Sequence, residues 1–430
     1  MASTGPGSKV AIVGSGLTGL LAAHGLKKVG QTQAPGLFRN GFDVAIFDSE
    51  THIDARPRDW TIVLHWALPV MQALLPDDVA AKLPRAICNP NLEFDTNAES
   101  FPVYNGVTGA LMFASPMPGS RRISRQRLRS VLAEGLEIQW DKKLQNIARN
   151  SNESNNSPAA LTLAFEDGST FAADFVLGAD GAHSRVREIV VDDAEKARST
   201  LSGLLFATAI VNYGDAAKVK TVTDAHPVAA AAMGTDAVGG CGVLYVNDGS
   251  DGAAVRDLAD WTTFWVKIWQ GHLDKAVHGQ EAIDLLKNSE SSKKLAAPFN
   301  QQIEWTPEGS VCYIDEMKYW VPVPFSGTEA TQDARVTLAG DAVHPMLIYR
   351  GQGFQHAIID VDNYIKALVA TRDANWDAEM RRREIGAYNA EAIERGAKAV
   401  NQSVQEAALS FDVEKVSKML MARQGHGRSA

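Results

Sequence analysis

The sequence predicts an α/β fold: a Rossmann-like unit interleaved with a mostly antiparallel β-sheet domain and followed by C-terminal helices. Three observations predict it. A GxGxxG run stands between an apolar strand and an apolar helix near the N-terminus; two later strands, at 175–177 and 336–338, also end in Gly/Asp turns that lead into helices; and residues 199–325 are instead rich in β-branched and aromatic runs.

The first element reads KVAIVGSGLTG. Val10, Ile12 and Val13 make a short buried strand, Gly14, Gly16 and Gly19 follow, and Leu20, Leu21, Ala22, Ala23 and Leu26 continue as a helix. In this Rossmann-like context Gly14 permits the tight turn, Gly16 lets the backbone approach a pyrophosphate on the helix N-terminus, and Gly19 allows close helix–strand packing. The fingerprint also needs an acid at the end of the second strand, and FDVAIFD supplies Asp48. Asp48 lies 34 positions beyond Gly14, against about 20 in a compact unit. Removing residues 29–39, VGQTQAPGLFR, leaves 23, so these eleven residues read as a dispensable surface insertion.

From Arg56 to Gly106 prolines and aromatic residues (Trp60, Trp66, Phe94) mark an excursion from the first unit. A helix then starts after Ser124, a good N-cap, and carries Arg125, Leu128, Leu132 and Leu136. Strands are expected near 137–148 and 161–165 around a polar hairpin tip, SNESNNSP. Phe175, Val176 and Leu177 form the next strand, which ends in Gly178-Ala179-Asp180-Gly181 and turns into a helix capped near Ser184. The β-rich part is expected to contain strands at 204–211, 243–246, 311–313 and 319–325, with a helix near 259–271 whose Trp261, Trp265 and Trp269 share one face and pack on the sheet. Next, the strand at Val336 and Leu338 breaks at Gly340-Asp341 and restarts at Gly351-Gln352-Gly353 into a helix through Leu368. A strand-end carboxylate suits a ribose hydroxyl, and a helix N-terminus suits an anion. That stretch alone fits an ordinary turn equally well, and the other Gly/Asp segments favour a dinucleotide site. Residues 377–421 read as helices that clasp the molecule, without evident chemistry.

Composition narrows the function classes. The 430 residues are 45% hydrophobic and 22% charged, enough for about two domains with a substantial core. A net charge of −9 without a basic block argues against nucleic acid as a partner. Cys88, Cys241 and Cys312 have neither disulfide nor metal-ligand spacing, so no metal site is expected. No apolar run reaches the roughly 18 residues of a membrane span and no signal peptide precedes the first strand, which leads to the expectation of a cytoplasmic protein.

The motifs Gly14-x-Gly16-x-x-Gly19, Gly178-Ala179-Asp180-Gly181-x-x-Ser184-x-x-Arg187, and Gly340-Asp341-Ala342-x-His344-Pro345 followed by Gly351-Gln352-Gly353 together resemble the class A FAD-dependent monooxygenases, which include aromatic hydroxylases of the salicylate-hydroxylase type. Arg125, with Leu128 and Leu132, matches the family helix whose arginine contacts the flavin. The segments keep the family's order over nearly the whole chain. Tyr349-Arg350-Gly351-Gln352-Gly353 and the segment from Asp59-Trp60 to His65-Trp66 look most like the fungal secondary-metabolism branch. Ile348 stands where the family often has proline, and Ser49 where it often has a basic residue.

The resemblance implies a discontinuous FAD-binding domain (1–55, 107–198 and 334–372), a substrate domain (56–106 and 199–333) and a C-terminal helical segment (373–430). It implies that Asp48 binds the adenosine ribose, that Asp180 and Gly181 lie near the pyrophosphate, that Asp341 holds a ribityl or pyrophosphate group, and that Arg125 adds a positive charge. Gly351, Gln352 and Gly353 would place a helix N-terminus beside the isoalloxazine. The implied reaction uses NADPH, or NADH, as a transient co-substrate with O2 to hydroxylate or epoxidise an aromatic, indolic or polycyclic small molecule through a flavin C4a-hydroperoxide. A flavin oxidase, dehydrogenase or reductase on the same scaffold is the alternative, and a non-catalytic FAD-fold binding protein a third. Trp60, His65, Trp66, Phe206, Tyr245 and Trp320 are candidates for an apolar pocket; His344 reads as a structural turn residue, and no catalytic base is identifiable. The protein is expected to be a monomer or a dimer.

Overall fold

The first strand, β1 (Ser8–Val13), is apolar on both faces, with Val10, Ala11 and Ile12 fully buried, and so belongs at the centre of a parallel sheet. The computed structural model, which describes residues 8–31, 41–56, 58–89, 100–150, 160–246, 257–325 and 327–425, places it there. Most of the expected insertion at 29–39, the hairpin tip at 151–158 and Phe94 lie outside the described residues.

α1 (Leu17–Gln31) follows, burying Leu20, Leu21, Ala22, Ala23 and Leu26. β2 (Phe42–Phe47) pairs in parallel with β1, setting Ile46 beside Ile12. After the excursion through residues 48–120 and the short strand Arg121–Ser124, α2 (Arg125–Ala133) begins at Ser124, whose Oγ accepts the Arg127 N–H at 3.1 Å, as the sequence leads one to expect. β3 (Phe175–Gly178) pairs with the other side of β1, and α3 (Arg185–Val191) is capped by Ser184. Ile138–Gln139 and Val336–Leu338 close the two edges of this five-stranded sheet.

The second sheet has eight strands and is antiparallel except where Ala229–Met233 runs parallel to Ser100–Asn105. Its longest strand is β4 (Thr200–Asn212), flanked by β5 (Thr262–Gln270) and β6 (Val311–Tyr319). Along β4, Leu205, Ala207, Ala209 and Val211 are buried against the helices Ala216–Ala225, Gly279–Asn288 and Phe299–Glu304. Phe206 and Ile210 point the other way and are half-buried, Phe206 among residues that include Leu347 and Tyr349.

The helix expected at 259–271 is β5 instead. Four-residue spacing of Trp261, Trp265 and Trp269 keeps one face in a strand as well as in a helix, because four is a multiple of the strand period. Thr262, Thr263, Val266 and Ile268, β-branched side chains that disfavour helix, decide for the strand. The tryptophans do lie in the core under the helices, but as part of the sheet. The strand expected at 319–325 ends at Tyr319, and Pro322 and Pro324 lack the N–H groups that pairing would need.

β7 (Val336–Leu338) joins the parallel sheet beside β3 and leads through the Gly340–Gly351 turns into α4 (Gly353–Asp373). α5 (Ala378–Leu409) runs back along α4. Leu64, Met71, Leu75 and Leu83 share one core with Leu20 and Leu21 of α1 and with Ile358 and Ile365 of α4, so residues 61–86 pack on the parallel-sheet unit, whereas Ser100–Asn105 lies in the eight-stranded sheet. No helix among the described residues is long and apolar enough to cross a membrane.

Candidate functional site

At the C-terminal ends of β1, β3 and β7 three backbone turns meet. Gly14 has φ +105°, and a Cβ on it would stand 2.3 Å from the Ala179 carbonyl oxygen, so only glycine lets the first turn pass the Asp180 loop. A Cβ on Gly19 would stand 2.0 Å from the Gly14 oxygen, which is the close helix–strand packing expected of the third glycine. Gly16 faces open space within 4 Å, at the N-terminus of α1, where a phosphate could approach the backbone. On the far side a Cβ at Gly340 would meet Thr18 Oγ1 at 2.5 Å, which sets the last turn against the same helix end.

The three strand-end acids differ in what they already hold. Asp48 accepts the Ser15 N–H (2.6 Å) and Ser15 Oγ (2.7 Å) on Oδ2 and the Glu50 N–H on Oδ1. Asp180 accepts Ser184 Oγ at 2.5 Å and the N–H groups of Arg185 (2.7 Å) and Val186 (3.1 Å), so it caps α3. Desolvation pushes the Asp180 carboxyl upward against these donors. Asp341 receives no hydrogen bond from any described residue. Its side chain is open to solvent, and neighbouring protein still raises its carboxyl by desolvation while His344 and Arg125 pull the other way.

Around Asp341 stand the remaining expected residues. Gly353 opens α4 with its Cβ position 3.8 Å from Asp341 Oδ1, and no side chain caps this helix, leaving N–H groups directed at the cleft. Gly351 has φ +59° and packs by Val63. Gln352 accepts Trp66 Nε1 on Oε1 at 2.9 Å and donates to the Arg350 carbonyl, so its side chain holds the loop. Arg125 lies over the Trp60 ring at 4.8 Å; desolvation lowers its basicity, and Asp341 and Asp59 support its charge. Gly181, with φ +81°, faces open space. The structure thus brings the loops of Gly14, Gly16, Asp180, Arg125, Asp341 and Gly353 around one cleft, with Asp48 bracing its glycine loop.

Sequence reasoning missed Arg129. Buried one turn along α2 from Arg125, it donates from Nε to the Ser15 carbonyl (3.0 Å), from Nη2 to Ser15 Oγ (2.9 Å) and from Nη1 to Glu50 (2.8 Å). Its spacing of four from Arg125, on the same helix face, was the available signal. Trp320 is a core residue rather than part of a pocket: it is buried under the Arg187 guanidinium, and its Nε1 donates to the Lys196 carbonyl.

The geometry fits a dinucleotide cofactor, and comparison with known proteins supplies which. The FAD-dependent monooxygenase phnB of Penicillium herquei is 31% identical over 423 residues, covering 98% of this chain and 96% of that protein. The chain belongs to the FAD-dependent monooxygenases. A second fungal member, cctM of Talaromyces islandicus, is 28% identical over 395 residues, 92% of this monooxygenase and 91% of that one. No family profile matches. Among solved structures, CtdE in complex with FAD and a substrate superposes with a TM-score of 0.72 at 17% identity over 98% of this chain and 94% of that one, which shows the shared fold. The monooxygenase is therefore an oxidoreductase and a flavoprotein with FAD as its cofactor.

Proposed function

We propose that this monooxygenase uses NADPH, or NADH, and O2 to hydroxylate or epoxidise an aromatic, indolic or polycyclic small molecule, as a step in secondary-metabolite biosynthesis. FAD held by the residues of the cleft would supply the redox chemistry, two-electron exchange with the nicotinamide and activation of O2. The observation that carries the reading is Asp341, the one strand-end acid of the three that no described donor engages, set at the uncapped N-terminus of α4. There its carboxylate can accept a ribityl or ribose hydroxyl, while the N–H groups of α4 favour negative charge on the ring beside them. Gly16 gives the backbone access to the pyrophosphate, Arg125 adds a cation, and Asp48 and Asp180 hold the two flanking loops in place.

The face of the eight-stranded sheet that shares a cluster with Leu347 and Tyr349, in the turns before α4, supports an apolar substrate. Phe206 and Ile210 on β4, Val266 on β5 and Phe101 are half-buried there, so they offer apolar surface to a ligand and shed water from the site. The packing supports a division into an FAD-binding domain (1–55, 107–198 and 334–372) and a substrate domain (56–106 and 199–333) with two changes: residues 61–86 go to the first, and Leu111–Pro116, an edge strand of the eight-stranded sheet, goes to the second.

The test is anaerobic reduction of the FAD-loaded protein by NADPH followed by exposure to ¹⁸O2 with candidate substrates. Label in the product supports the monooxygenation; reduction that yields only H2O2 with every substrate would make it an oxidase. Asp341→Ala is expected to release FAD on gel filtration, and stoichiometric retention would remove Asp341 as the anchor.

A further inference from the structure

α5 carries no motif, yet it reaches the turn that holds Asp341. Arg395 on α5 donates through Nη2 to Asp360 Oδ1 at 2.5 Å and through Nε to Glu391 at 2.7 Å. Asp360, on α4 and fully buried, takes two further donors on Oδ2: the Gly340 N–H and His344 Nε2, both at 2.7 Å. One carboxylate therefore joins α4, α5 and both ends of the Gly340–His344 turn. Burial pushes the Asp360 carboxyl upward, but His344 and Arg395 outweigh it and keep it ionised.

Two features show that this contact is built in. A Cβ on Gly396 would lie 2.9 Å from His344 Cβ, so α5 can seat itself only because residue 396 has no side chain. His344 is fully buried and its Nδ1 has no hydrogen-bond partner among the described residues, which leaves the Nε2 bond to Asp360 as the polar contact that orients the ring. The outer end of the network reaches a cavity of about 290 Å³ between α5 and residues 346–356, lined by His356, Glu391 and Arg395 among others. His356 Nδ1 accepts from Arg395 Nη1 there at 3.1 Å.

We propose that Asp360, His344 and Arg395 are positioning residues of the FAD site, so that the C-terminal helix holds the Asp341 turn in its ligand-accepting geometry; this rests on the reading of Asp341 as the cofactor anchor. Removing Arg395 leaves a buried carboxylate whose cationic partner is gone, and the cheapest relief is for the Gly340–His344 turn to shift or for water to enter from the cavity. Removing both charges relieves the imbalance, so the effects of Asp360 and Arg395 should be non-additive.

The experiment compares wild type, Arg395→Met, Arg395→Lys, Asp360→Asn and the double variant Asp360→Asn/Arg395→Met. Folding is followed by circular dichroism, FAD affinity by titration of apoprotein, and the midpoint potential of the bound flavin by dye equilibration. Arg395→Met should weaken FAD binding by about tenfold or more and shift the potential, Arg395→Lys should do so less, and the double variant should bind better than the two single losses combined predict. Arg395→Lys keeps the charge, so it stays informative if Arg395→Met fails to fold. Folded variants with unchanged affinity and potential would overturn the positioning role while leaving Asp341 untouched; FAD retention by Asp341→Ala would instead overturn the reading beneath it.

Discussion

Lys267 holds its ammonium among three serine hydroxyls, Ser289, Ser291 and Ser292, at 2.9, 2.7 and 2.8 Å, while fully buried on β5. Burial pushes its amine down to about 8 from the ordinary 10.5. The unfolded chain keeps this proton up to 10.5 and the folded chain releases it from about 8, so between these values the unfolded state binds more protons and stability from this group rises with pH. Lys267→Met should flatten that rise in a series of thermal melts from pH 7.5 to 10; an unaltered slope would mean that the lysine stays charged in the fold. At the same scale, Gly19→Ala forces a Cβ to 2.0 Å from the Gly14 oxygen and should cost about 1–3 kcal/mol of stability along with FAD affinity. Urea denaturation of the apoprotein checks the first effect. The role of Gly19 is legible from the sequence because the clash lies within one turn of chain. That of Lys267 is not, since its serines come from another element.

At the scale of elements, α2 shows how a cap serves the site. Ser124 accepts the Arg127 N–H and donates to Asp59 Oδ2 at 2.6 Å, and Asp59 Oδ1 accepts the Gln126 N–H at 3.0 Å, so two acceptors satisfy the helix start that presents Arg125 and Arg129. Ser124→Ala should lower stability by about 1–2 kcal/mol with an unchanged denaturant slope, because it removes a cap and leaves a buried Asp59 oxygen short of a donor. A loss under a few tenths of a kcal/mol would show that Asp59 alone caps α2. The cap was readable from Ser124 preceding an apolar four-residue repeat. β5 was misread because tryptophan spacing alone does not separate the two periods; the β-branched residues between the tryptophans favour the strand, which β4 and Ala237–Tyr245 pair on either side.

For the whole molecule, Arg58 ties the segment before Thr61–Leu64 to the eight-stranded sheet, pairing with Asp315 on β6 and lying over the Trp60 and Tyr313 rings at 5.7 and 5.2 Å. Loss of this bridge by Arg58→Met should raise KM for the nicotinamide or the substrate more than it lowers kcat, since the pair fastens the chain beside Trp60, which lies under Arg125, to β6 without touching Asp341; steady-state kinetics in both reactants measures it. The flanks of the residue 29–39 segment also meet: a Cβ on Gly30 would stand 3.2 Å from the Gly41 Cα. Replacing residues 32–40 by a Gly-Ser link should therefore leave FAD affinity within about twofold, a change small against the 1.4 kcal/mol of a tenfold loss. Complete loss of flavin on titration would show that the segment supports the site.

By itself the sequence determined the turns: Gly14, Gly16 and Gly19, the strand-end acids, and the helix starts at Ser124, Ser184 and Gly353. These are local demands of backbone geometry and hydrogen bonding, met by residues a few positions apart. Only the tertiary structure decided which acids are already engaged, since Asp48 is held by Ser15 from 33 residues away and Asp341 by no described donor. It also decided that Arg129 reaches Ser15 across 114 residues and that Arg395 and Gly396 seat α5 against the Gly340–His344 turn. Those contacts come from packing between distant elements, and neither residue type nor spacing along the chain encodes such a meeting.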